Sequence, residues 1–263
     1  MDSLGLPHVR RAFLRRFACA FAASAMLPLS EARAFGDAGA FNPRILLTGT
    51  SEWKGRRKLA PARWALELVR RTSAPARVSP TLVAADSPKL LAEPFVIWSG
   101  SAPPAPLTGP ELRGLQRFIA LGGTLLVDEH EPERGLFVAA VERELRRVLP
   151  DGSPITVGSE HVLFRSFYLL GGATGRFQKA DKLKVIVRGG QAQVIFSPND
   201  LLGALARSAG RLHAFEVIPG GEPQRERAVR LAVNIAMYVL CSDYKNDQVH
   251  APFLMRRRRT GTK

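Results

Sequence analysis

Cysteine is nearly absent: only Cys19 and Cys241 occur in 263 residues, so a disulfide framework is excluded. No apolar run reaches the ~20 residues that a membrane-spanning helix needs. The chain has no Gly-X-Y period and no self-similar block, which excludes collagen-like and repeat architectures. It lacks a G-x-S-x-G elbow, a Walker A loop and a G-x-G-x-x-G turn after a strand. Zinc-finger spacing, an RNP-type motif and an aromatic-interleaved basic patch are missing too.

What the sequence does contain is ample material for a core. It is 46% hydrophobic and 8% aromatic, with a mean hydropathy of −0.03, enough for one generous domain or two small ones. The extreme value is charge: 38 Lys and Arg against 23 Asp and Glu, a formal +15. Much of the excess sits at the ends, in Arg10, Arg11, Arg15, Arg16 and Arg33, and in Arg256 to Arg259 with Lys263. Residues 35–255 carry 28 basic and 21 acidic side chains, about +7. That balance is no nucleic-acid signature, and no nucleic-acid partner is expected.

The first 34 residues have the order of an export signal. Arg10 and Arg11 precede Phe13 and Leu14, an Ala-rich apolar run extends from Phe17 to Leu29, and Ala32-Arg33-Ala34 gives a small-x-small cleavage pattern. The paired arginines followed by x-Phe-Leu resemble the twin-arginine signature, which predicts the twin-arginine export machinery as a partner and a location in the periplasm or at the outer face of the inner membrane. Cys19 falls inside the apolar run without a lipobox. The mature chain then retains Cys241 alone, expected as a small buried residue.

Beyond the signal, short apolar runs alternate with helical patterns. Strands are predicted at Arg44 to Thr48, Pro94 to Ser99 and Thr124 to Asp128. A short apolar stretch covers Ile155 to Val157, and a hairpin joins Lys184 to Val187 with Gln193 to Phe196 across Gly189-Gly190. Helices are predicted from Pro61 to Arg71, from a Thr108–Glu111 capping box to Gly122-Gly123, through Val138 to Val148, and along Ala228 to Val239. Strand, helix, strand, helix in this order predicts one α/β domain over residues 40–242, with a mostly parallel sheet, helices on both faces and an antiparallel hairpin at one edge. Residues 243–263 read as a basic, solvated tail. Its functional alternative is attachment through Arg256 to Arg259 to an envelope protein or an anionic membrane surface.

Ligands of open parallel sheets bind outside the carboxyl ends of the strands. Three polar groups follow predicted strands: Asp128-Glu129-His130, Glu160-His161 and Asn199-Asp200. Asp128, His161 and Asp200 are the candidates for acid–base or metal chemistry, and Glu129, His130, Asn199 and Tyr168 are candidate binding residues. Each also has a structural reading: Asp200 stands before Leu201-Leu202 as an N-cap, and His161 before an apolar run as a packed loop residue. Gly171-Gly172-x-x-Gly175 mimics a phosphate loop loosely, but no helix pattern follows it.

Five stretches together resemble a bacterial family known as domain of unknown function 4159: Gly122 to Asp128, Glu160 to Leu170, Val194 to Ala204, Pro219 to Glu226, and Val233 to Tyr238 running on through Asp243 to His250. The resemblance covers nearly all of the chain after the signal. It implies a flavodoxin-like fold similar to class I glutamine amidotransferase-like domains, with Asp128, His161, Asn199 and Asp200 inside its recognisable stretches. It implies no activity. That amidotransferase class uses a Cys on a strand-to-helix turn with a partner His, and no Cys of this chain stands at such a turn, so its chemistry is not carried over.

The leading expectation is therefore a non-catalytic exported module that binds a ligand or an envelope partner. The alternative is a metal-assisted hydrolase built on Asp128, His161 and Asp200. Nucleic-acid binding, resting on charge alone, comes last, and no particular cofactor is implied.

Overall fold

A computed structural model of the chain describes residues 39–259 apart from 80, 209 and 211, with side chains as far as residue 242. Arg10, Arg11, Phe13 and Leu14, expected to form an export signal, and the side chains of Arg256 to Arg259 lie outside that description.

Seven strands form one sheet in the order β2-β1-β3-β4-β7-β6-β5. The elements are β1 (Arg44–Leu47), α1 (Ala60–Thr72), β2 (Leu82–Ala84), β3 (Phe95–Gly100), α2 (Gly109–Ala120), β4 (Thr124–Glu129), α3 (Leu136–Val148), β5 (Ile155–Val157), β6 (Leu183–Arg188), β7 (Gln191–Ser197), α4 (Leu201–Leu205) and α5 (Gly221–Arg259). Strands β2, β1, β3, β4 and β7 are parallel, while β6 runs antiparallel to both β7 and β5. This is a single flavodoxin-like α/β domain with an antiparallel extension at one edge.

Alternation along the strands sorts the core into two layers, because successive side chains point to opposite faces. Ile45, Phe95, Ile97, Leu126 and Ile195 face one way and pack with Trp64 and Leu68 of α1, with α4, and with Ala228, Leu231, Ala232 and Ile235 of α5. Leu46, Val96, Trp98, Leu125, Val127 and Val194 face the other way, against Leu115 and Ile119 of α2 and Val141 and Leu145 of α3. Trp64 brings a polar handle into the first layer, and its indole N–H donates to the Ala232 carbonyl at 2.8 Å, tying α1 to α5.

Local sequence explains the boundaries. Thr108 and Glu111 form the predicted capping box of α2, and Gly122 leaves that helix at φ 88°. Gly189 and Gly190, both at positive φ, turn β6 into β7. The sequence reading differs in two places. Cys241 is exposed on α5 and not buried. The backbone that reads as a tail after residue 242 continues helical as far as Arg259. Among the described residues, no helix is long and apolar enough to cross a membrane.

Candidate functional site

The strand order sets where a ligand can enter. From β1 the chain crosses α1 to β2 on one side, whereas β3 lies on the other side of β1, so the winding reverses between β1 and β3. At such a switch point the loops diverge and leave a crevice outside the carboxyl ends of the strands. A cleft of about 420 Å³ opens there. Its walls come from the segment after β1 (Thr48, Trp53, Arg56, Arg57), the end of β3 (Ser99) and the end of β4 (His130).

The register fixes what meets at its floor. Ser99 pairs with Asp128 across β3 and β4, and Asp128 pairs with Ser197 across β4 and β7. Paired neighbours share a face, so Ser99, Asp128 and Ser197 form a polar row where the core gives way to the loops. His130 follows β4, and its amide still donates to the Gly100 carbonyl at 2.8 Å. Its ring returns over the row, with Nε2 2.6 Å from Ser99 Oγ. Trp53 flanks the imidazole at 6.3 Å between ring centroids.

Behind His130 stands a compact charged cluster. Fully buried Asp128 accepts the amides of Leu201 and Leu202 at 2.8 and 2.9 Å. Burial and the neighbouring Asp200 push its carboxyl up to about 7, against the pull of those amides. Asp200 caps α4 through the Gly203 amide at 2.9 Å from a left-handed backbone, φ 55°, a conformation that Asp tolerates better than most residues. It also accepts Arg57 Nε at 3.0 Å and the Arg176 guanidinium. Arg56, Arg57 and Arg176 gather over the Phe215 ring, with guanidinium carbons 4.2, 4.4 and 5.1 Å from its centroid. Burial, with Arg57 and Arg176 nearby, brings the His130 imidazole down to about 4, so the ring is neutral at ordinary pH.

Asp128, His130 and Asp200 offer ligand atoms within 4.8 Å of one another, the spacing of a metal centre. Their surroundings favour a different reading. Asp200 is held by two guanidiniums and an amide, Asp128 by two amides, and His130 Nε2 by Ser99. A divalent cation would have to compete with two fixed positive charges for the same carboxylate. The cluster is an arginine–aspartate network that braces the cleft.

The other predicted residues separate from this site. His161 caps a short 3-10 turn after β5, with Nδ1 accepting the Leu163 amide at 3.3 Å. Strands β6 and β7 separate β5 from β4, so the two strand ends are roughly 14 Å apart at ~4.8 Å per strand. Glu129 accepts the amides of Glu131 and Val138 and braces the start of α3. Asn199 Oδ1 accepts the amides of Lys179 and Ala180. Tyr168 is fixed through its backbone amide to Asn234 of α5. Gly175 packs so closely on Asn199 that a Cβ would come within 2.1 Å of its carbonyl oxygen, so this glycine serves loop packing.

Sequence reasoning missed Thr48, Ser99, Arg57 and Arg176. A signal for Ser99 existed, since it ends a buried strand and precedes a glycine, but reading it required knowing that β1 and β3 are neighbours. Nothing local marks Arg57 or Arg176, because their partner Asp200 lies 143 and 24 residues away.

The fold and the cleft define the class: an open, doubly wound α/β protein with a polar crevice at its switch point. Residues 44–240 match the family described as domain of unknown function (DUF4159), and the chain belongs to that family. No curated protein matches it.

Proposed function

We propose that the protein binds a small anionic molecule in the switch-point cleft. The observation that carries this reading is Thr48. Its hydroxyl is buried, with the residue only 4% exposed, it has no hydrogen-bond partner, and it lines the cleft. An orphaned buried hydroxyl is costly unless a ligand or water satisfies it. Charge selects the ligand's sign. Three guanidiniums converge on Phe215, and Asp200 compensates two of them. The excess is positive, with Arg56 on the cleft wall.

The test is a titration of the full chain with inorganic phosphate and with succinate, followed by calorimetry. Saturable binding is expected, weakened about tenfold in Arg56→Ala, equivalent to about 1.4 kcal/mol. Absence of binding to either anion, together with a clean apo mass in native mass spectrometry, overturns the reading. The arginine–aspartate cluster gives the metal-assisted alternative less support, and His161 lies outside it.

We also propose export by the twin-arginine route, on the strength of Arg10, Arg11, Phe13 and Leu14. Retention of an Arg10→Lys, Arg11→Lys precursor in the cytoplasm is the expected result. In the same setting, Arg256 to Arg259 are proposed to meet an envelope protein or an anionic membrane surface. Loss of sedimentation with anionic vesicles on removing residues 256–263 checks the membrane case. The finer likeness to class I glutamine amidotransferase-like domains stays a proposal, supported by the doubly wound sheet.

A further inference from the structure

Ser99 and His130 are more than two polar residues at a strand end. Their side chains meet at 2.6 Å, Oγ to Nε2, and both are half-buried on the wall of the cleft. Ser99 stands on β3 and His130 just after β4, two central strands with six registered residue pairs between them. A nucleophile and its base gain most from such a rigid platform, because a near-attack geometry must be held before reaction. Behind the ring, carboxylate oxygens of Asp128 and Asp200 come within 4.8 Å of a His130 nitrogen and of each other; Asp200 favours the imidazolium, while burial, Arg57 and Arg176 oppose it. Thr48 also lines the cleft, with its hydroxyl buried and without a partner. A hydroxyl, an imidazole in contact with it and a cleft wall carrying Arg56 are thus assembled around one cavity.

We infer that Ser99 is an acyl-accepting nucleophile activated by His130, acting on a carboxylic ester that carries an anionic group. The inference rests on the anion-binding reading for its substrate class, but not for the nucleophile itself. The step balances as acyl transfer. The Ser99 hydroxyl proton passes to His130 Nε2 while Oγ forms a bond to the carbonyl carbon. The ester C–O bond then breaks and the leaving alcohol takes the proton from the imidazolium. Water hydrolyses the acyl-serine by the same exchange, with His130 accepting the water proton and returning a proton to Ser99. Arg56 lies on the wall where an anionic end of the substrate would be held.

The test treats the full chain with a neutral alkyl fluorophosphonate and follows intact mass and peptide mapping. Attack by Ser99 forms a P–O bond and releases fluoride with the serine proton, so the protein gains the mass of the probe less HF. A single adduct on Ser99 is expected, absent in Ser99→Ala and slowed at least 100-fold in His130→Gln, the size of a general-base contribution. Circular dichroism of both variants confirms folding. No adduct on wild type, an adduct that persists in Ser99→Ala, or an unchanged rate in folded His130→Gln each overturns the inference. Because the probe is neutral, those outcomes are independent of anion binding. A second measurement compares 4-nitrophenyl acetate with mono-4-nitrophenyl succinate. The anionic ester is expected to have the higher kcat/KM, and Arg56→Ala is expected to lower the ratio of the two kcat/KM values about tenfold. Ser99 labelling with no preference between the esters would retain the nucleophile and overturn the anionic substrate class.

Discussion

The carboxyl edge of the sheet has two halves with similar residue types and opposite states. On the β4–β7 side, Asp128, Asp200, Arg57, Arg176 and Asn199 exchange hydrogen bonds until each is engaged. On the β1–β3 side, among the described residues, Thr48 Oγ1 is buried without a partner, and the side chains of Ser99 and His130 meet each other. The saturated half supplies rigidity, and the unsaturated half is where the proposed nucleophile stands. Polar residue type alone does not tell them apart; partner count does.

The strongest way to break this comparison is to remove the hub of the saturated half. Asp200→Ala leaves two guanidiniums without their carboxylate and α4 without its cap. A loss of roughly 3–5 kcal/mol in urea unfolding is expected, as for breaking one partner of a buried pair. Asp200→Asn, which keeps the left-handed backbone tolerance and a capping oxygen, is expected to lose less. Equal losses would show that charge compensation matters little there.

Next in size are two pH effects of opposite sign. Asp128 has its folded carboxyl raised to about 7 from an ordinary 3.8. The folded state therefore binds its proton more tightly, and this contribution to stability falls as pH rises from about 4 to about 7. His130 has its folded imidazole lowered to about 4 from 6.5. Its contribution is present above 6.5 and is lost as pH falls toward 4. The two oppose each other in the native protein between pH 4 and 6.5. Melting temperatures of Asp128→Asn should then rise with pH across that window, and those of His130→Gln should fall. Parallel profiles for the two variants would contradict the assigned shifts.

The smallest effect sharpens the contrast by its sign. Thr48→Val exchanges an orphaned hydroxyl for a methyl of similar shape. It is expected to leave thermal stability unchanged or raise it by up to ~1 kcal/mol, while weakening succinate binding. Destabilisation would show that the hydroxyl has a partner in solution.

Much of the scaffold was legible in the sequence, and the reason is periodicity. The Thr108–Glu111 capping box, the Gly189-Gly190 turn and the Thr124 to Asp128 strand are all local signals, and they stand where expected. Strand β2 was not legible, because three residues carry no periodic pattern. The site was legible only where it is local. Asp128 and Asp200 were anticipated because each ends or follows a strand. Their association with Arg57 and Arg176, and that of Ser99 with His130, depends on which strands become neighbours. His161 follows a strand just as His130 does, and the sheet order alone places it three strands away.

The sheet also ends in a way that limits how the protein can meet others. Both edge strands, Leu82–Ala84 and Ile155–Val157, are three residues long. An incoming strand would find almost no free backbone ladder on either side, so edge-to-edge pairing and the aggregation it seeds have little template. Recognition is left to side chains, at the cleft and along the surfaces of the helices.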